Sequence, residues 1–221
     1  MAGTGTSTFN NITFNGTSNQ TITIGGTVAI NGTLTTTVQF NNTGTAPNNQ
    51  IINQSVAFTN AISVTPNRTT FTQGNYVHDN TGTYNVSTGT ITFGGANMTV
   101  TVLQGTMNFA TGDNVQLNLN GGDLIVNGSS AIVNVGGGET QDRQKLLTNG
   151  ATADITVQNG GTLNVGNNIF GDIRFDGNAG TMLVTGTGSQ VNCGRIVTGA
   201  ASGNGGTLTI SNGAVVRVRQ N

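Results

Sequence analysis

The residues best able to do chemistry in this 221-residue chain are few and scattered. Asp172, Arg174 and Asp176 lie two apart in Gly171-Asp172-Ile173-Arg174-Phe175-Asp176. In a strand they share one face, as a pair of carboxylates for glycoside hydrolysis would. One strand cannot place carboxylates on opposite sides of a bond, so a surface charge ladder, with Arg174 between two acids, is the simpler reading. His78-Asp79 is the one place where a general base adjoins an acid that could orient it. Neighbouring strand residues point to opposite faces and no Ser or Cys motif accompanies the pair, which is expected to be solvated in a loop. Asp113, Asp123 and Glu139 are candidate calcium ligands, but the glycine-aspartate nonapeptide that winds calcium-loaded β-rolls is missing. Cys193 follows Val191 at strand spacing, which suggests an inward, small apolar thiol and not a nucleophile. Gly136-Gly137-Gly138 lacks the Gly-Lys-Ser/Thr ending of a phosphate loop. Sequons such as Asn15-Gly16-Thr17 and Asn31-Gly32-Thr33 follow from an Asn- and Thr-rich composition. Thr33, Thr35 and Thr37 make a row of hydroxyls, but the row does not recur at one place in each repeat, as an ice-binding array requires. The expectation is therefore of no catalytic, cofactor-binding or metal-binding residues, no cofactor, and a protein that is not an enzyme.

Composition narrows the partners. Charged residues make up 7% of the chain and the formal net charge is −1, with Lys145 the single lysine. A nucleic-acid surface needs clustered Lys and Arg, so none is expected. No apolar run approaches the roughly 18 residues needed to span a bilayer, so no membrane span is expected either. The start, Met1-Ala2-Gly3-Thr4-Gly5, has neither the basic nor the apolar region of a secretion signal. If the protein is exported, its mature form or a fragment of it is expected here. A single Cys cannot form an internal disulfide, which leaves packing to supply stability.

The elements that must carry these residues are strands. Gly, then Thr or Asp, then apolar-x-apolar recurs at Gly26, Gly89, Gly105, Gly122, Gly161, Gly180 and Gly206. Successive starts lie 63, 16, 17, 39, 19 and 26 residues apart, which reads as a unit of roughly 16–26 residues, about one coil of a β-helix. Apolar residues two apart share a face, so the expected core is Val28, Ile30, Ile91, Phe93, Met107, Phe109, Leu124, Val126, Leu163, Val165, Met182, Val184, Leu208 and Ile210. Asn-Gly and Gly-Gly clusters between strands suit sharp corners, where left-handed backbone angles are needed. Residues 139–147, which hold four of the fifteen charges, read as a polar loop or helical turn protruding from the stack. Residues 41–84 contain both prolines and lose the repeat, as an inserted loop or distorted coil would. An antiparallel sandwich would also show short alternating strands, but its strands usually differ from one another. The repeated phrase favours a single all-β domain over residues 1–221, a right-handed parallel β-helix.

The last forty residues add a resemblance. Met182-Leu183-Val184-Thr185-Gly186-Thr187-Gly188-Ser189-Gln190-Val191 and Gly203-Asn204-Gly205-Gly206-Thr207-Leu208-Thr209-Ile210-Ser211-Asn212-Gly213-Ala214-Val215-Val216 resemble the repeats of bacterial autotransporter passenger domains. The likeness is most specific over residues 161–219. It implies a secreted β-helix at the cell surface, an adhesin or a stalk, with a surface glycan or protein as partner. The chain stops at Gln220-Asn221 soon after a strand, so an open end that stacks on another copy is also expected. A subunit of an end-to-end fibre and a polysaccharide-processing β-helix enzyme are the alternative readings.

Overall fold

The computed structural model describes residues 6–9, 12–14, 27–30, 34–36, 50–53, 56–58, 62–64, 69–85, 90–93, 95–96, 98–113, 115–137, 144–150, 153–166, 170–175, 180–198 and 205–219. Side chains are described at 78, 81, 83 and, from 90 onward, at nearly all of these positions. In chain order the strands are β1 (Thr6–Phe9), β2 (Ile12–Phe14), β3 (Thr27–Ile30), β4 (Leu34–Thr36), β5 (Gln50–Asn53), β6 (Val56–Phe58), β7 (Ile62–Val64) and β8 (Thr69–Asn85). They continue as β9 (Ile91–Thr92), β10 (Met98–Phe109), β11 (Leu117–Asn118), β12 (Asp123–Asn127), β13 (Ala131–Val135), β14 (Gln144–Leu147), β15 (Asp154–Gln158) and β16 (Thr162–Val165). The last six are β17 (Asp172–Phe175), β18 (Thr181–Thr185), β19 (Gln190–Cys193), β20 (Arg195–Thr198), β21 (Thr207–Ser211) and β22 (Val215–Val218).

These strands pair in parallel and stack as a β-solenoid. One column runs β1-β3-β6-β8-β10-β12-β15-β18-β21. A second face, β13-β16-β19-β22, joins it through β10, whose first half pairs with β12 and whose second half pairs with β13. The third face is β9-β11-β14-β17-β20, and β2-β4-β7 form a further sheet. From β9 onward each turn gives one strand to each of three faces, over about four turns.

The register gives the true coil length. Val100, Leu124, Ile155, Met182 and Leu208 are successive partners, so the turns are 24, 31, 27 and 26 residues long. Two of these turns fall within the 16–26 residues expected from the repeated phrase, and the turns of 31 and 27 residues exceed it. The phrase opens β12, β18 and β21 on the first face, but also the second half of β10, and β16, on the second face. A glycine followed by an apolar-x-apolar pair thus opens strands on more than one face, so the phrase marks strands, not turns. Among successive copies, only Gly180 and Gly206 stand one turn apart at the same place.

Inward positions stack like on like. Met107, Val133, Leu163 and Val191 form one column and Ile91, Leu117, Leu146 and Ile173 another, all fully buried. Each such side chain contributes roughly 1.5–3 kcal/mol by leaving water. Between faces, Asn120-Gly121, Asn159-Gly160 and Asn212-Gly213 have positive φ at both residues. Asn and Gly are the residues that reach this left-handed region at least cost, and the chain turns there within two residues.

Most of the expected core is buried, including Phe93, Phe109, Leu124, Val126, Val165, Met182 and Val184. Ile210 is the correction: it is 48% exposed, and Leu208 is only partly buried. An inward residue of a solenoid is covered by coils on both sides, and among the described strands β21 pairs with β18 alone. The side chains of Val28 and Ile30 lie outside the described residues. The 41–84 stretch supplies β5 to β8, of which β6 and β8 sit in the first column. The 139–147 segment ends in β14, with Lys145, Leu146 and Leu147 buried; residues 138–143 lie outside the described residues.

Candidate functional site

Asp172 does not stand in a surface charge ladder. It is 1% exposed, and its register partner one turn on is Arg195, which is 40% exposed. The Arg195 Nε donates to Oδ1 at 3.2 Å and Nη2 donates to Oδ2 at 2.5 Å, a two-pronged pair that occupies both carboxylate oxygens. Arg174 is half-buried on the same strand and Asp176 lies outside the described residues. His78 is also corrected: it is fully buried within β8, opposite Val102 and Phe58 in register, and not in a solvated loop. Asp79 lies in β8 as well; its side chain is outside the described residues.

Of the candidate calcium ligands, Asp113 lies in the loop before β11, Asp123 opens β12, and Glu139 is outside the described residues. Among the described residues no three His, Cys, Asp or Glu side chains gather as a metal site. Asp123 instead stacks next to Asp154 of the following turn. Its Oδ1 accepts the Asp154 backbone N–H at 3.2 Å, and Asp154 Oδ1 accepts the Thr181 hydroxyl at 2.6 Å. Partial burial, with the neighbouring Asp154 charge, raises the Asp123 carboxyl above its ordinary value despite that backbone hydrogen bond and another to Thr99.

Cys193 is fully buried, as its spacing suggested. Burial first, and the Asp172 charge second, push its thiol up from 9.0 to about 12. A neutral buried thiol is a poor nucleophile. The folded chain is therefore expected to resist a thiol reagent at pH 8 and to react at once in denaturant; equal rates in both would contradict the burial. The pH dependence follows. Above about 9 the unfolded thiol loses its proton while the folded one keeps it, so Cys193 subtracts stability progressively between pH 9 and about 12. Cys193→Ala should lessen the alkaline fall in unfolding midpoint.

Lys145 was missed as a structural residue because its charged neighbours suggested a polar loop. β14 carries a register shift between Gln144 and Leu146, and the fully buried Lys145 occupies it. Its Nζ donates to the carbonyls of Gly112, Asp113 and Val115 at 3.0, 3.0 and 3.1 Å. The ammonium has three N–H donors, and one turn of the solenoid is thereby tied to the loop of the turn before it.

The most ordered polar feature lies on the second face. Asn108, Asn134, Asn164 and Asn192 are register partners on β10, β13, β16 and β19. The Nδ2 groups of Asn134, Asn164 and Asn192 each donate to the Oδ1 of the preceding Asn at 2.8 Å, giving an outward amide ladder. Arg217 of β22, the register partner of Asn192, extends it, with Nη1 donating to Asn192 Oδ1 at 3.5 Å and to the neighbouring Gln190 Oε1 at 2.7 Å. Asn108, Asn134 and Asn164 form one side of a groove of about 530 Å³, with Thr111, Gly136, Gly137 and Gly166 along the corner. Gly166 has φ +75° and a Cβ there would strike the Phe170 carbonyl, so this wall is bare backbone by necessity. The turn lengths needed to align these four residues were not readable in the sequence. Comparison with protein-family models, curated proteins and solved structures finds no match to this chain.

Proposed function

We propose that this chain is an extracellular structural and adhesive β-solenoid, a rigid segment of the autotransporter-passenger kind displayed at the cell surface, and not an enzyme. The observation that carries the reading is the division of labour in each turn. Apolar columns hold the coils together, while the outward faces offer amides and hydroxyls with little charge. The carboxylates of Asp123, Asp154 and Asp172 are held by hydrogen bonds between turns, which suits scaffolding. Labelling intact producing cells with an antibody to this chain tests display. Surface signal and reduced adherence on deletion are expected; a chain reachable only after lysis overturns the reading.

A second reading, end-to-end association with another copy, has its own support. Ile210, Val215 and Val218 are 48%, 41% and 51% exposed on the turn formed by β20 to β22. Strand edges with apolar residues favour pairing, and a head-to-tail contact that does not close yields filaments. Sedimentation and electron microscopy across a concentration series should show filaments that Val218→Asp with Ile210→Asp abolishes. A monomer at every concentration would contradict it.

A further inference from the structure

The groove beside the amide ladder offers a binding site whose chemistry is specific. An Asn amide has two N–H donors and two carbonyl lone pairs. The ladder uses one of each at Asn134 and at Asn164, so each keeps one donor and one acceptor side by side. Such a pair matches two adjacent hydroxyls, one accepting and one donating. The pairs repeat at the strand spacing of about 4.8 Å, close to the length of one sugar unit in an extended chain. The lining residues Asn108, Thr111, Asn134, Gly136, Gly137 and Gly166 carry no charge and no large apolar side chain. That lining has no cation to neutralise an anionic polymer and no apolar surface for a lipid or an amphipathic peptide. A Cβ built on Gly137 would meet nothing, so the corner side is open.

From this geometry we infer that the groove binds a neutral, linear polysaccharide lying along the solenoid axis, with hydroxyl pairs on the Asn134 and Asn164 amides. The inference rests on the adhesive reading and names the ligand class and the face. Amides half-exposed to water gain little per hydrogen bond, so affinity accumulates with the number of sugars engaged.

The test is affinity electrophoresis and calorimetry of the whole chain with hydroxyethylcellulose, linear mannan and soluble starch, with polygalacturonate as the charged control. At least one neutral polymer should retard the chain, independently of salt, with affinity rising with oligosaccharide length. Thr111→Trp narrows the groove from its corner without touching the ladder and should weaken binding about tenfold. Asn134→Leu should do the same, and a circular-dichroism melt checks that both variants fold. No retardation by any neutral polymer, unchanged binding by a folded Thr111→Trp, or salt-sensitive binding of polygalacturonate alone would each overturn the groove assignment. Surface labelling of intact cells is independent of these outcomes, so the groove can fail while the display reading stands.

Discussion

Leu163→Asn should lower the unfolding midpoint steeply, while Ile210→Asn should barely move it. Leu163 is fully buried on β16, with Val133 on the turn before and Val191 on the turn after. The substitution loses the burial of a leucine, roughly 1.5–3 kcal/mol, and places an amide where the surrounding side chains are apolar, roughly 1–3 kcal/mol more. A total of about 2.5–6 kcal/mol is a large share of the about 5–15 kcal/mol that holds an ordinary domain together. Because each turn of a solenoid contacts mainly its neighbours, the damage should be local. Hydrogen exchange should accelerate first in β13, β16 and β19. Ile210, on β21, is also an apolar residue of the repeated phrase but is 48% exposed, so its polar replacement removes little burial. Equal losses at the two positions would contradict the stacking order.

Lys145→Met should cost about 2–4 kcal/mol, far more than a change at an exposed lysine. Methionine keeps the stem that packs in the bulge of β14 but has no donor for the carbonyls of Gly112, Asp113 and Val115. Removing the ammonium also removes the cost of burying it, which is why the expected loss is below the sum of three charged hydrogen bonds. A thermal melt measures the total, and faster exchange of the amides at 115–119 would locate it. A variant as stable as the parent, with unchanged exchange there, would mean that the three bonds contribute nothing.

How much was legible in the sequence follows from what each feature depends on. Strand identity and facing depend on residues two apart, and so Met107, Leu124, Leu163 and Val184 could be placed inside from the pattern alone. Corners depend on dipeptides, and Asn159-Gly160 and Asn212-Gly213 have the positive φ angles that such pairs favour. Turn length depends on which strand meets which, and a phrase common to all three faces conceals it. The Asp172–Arg195 pair, whose members are 23 residues apart, lies within the expected unit length, but nothing in the pattern says that these two strands meet. The Asn108–Asn134–Asn164–Asn192 ladder was hidden by turn length as well, because two of its steps, 30 and 28 residues, exceed that unit. Lys145 was obscured differently: a charge in a polar run suggests a solvated loop, and the three carbonyls of another turn that its buried ammonium meets are not visible in the pattern.

The register is thus the claim on which the ladder, the groove and the buried ion pair all depend, and cysteine cross-linking measures it directly. Thr156 and Leu183 are outward, half-buried partners on β15 and β18. Parallel neighbours stand about 4.8 Å apart, within the Cα separation that a disulfide accepts. Thr156→Cys with Leu183→Cys should oxidise within the chain under mild conditions, whereas Thr156→Cys with Asn192→Cys, on two different faces, should not. Cross-linking of the first pair alone would uphold the stacked parallel turns; failure of that pair, or equal cross-linking of both, would contradict them.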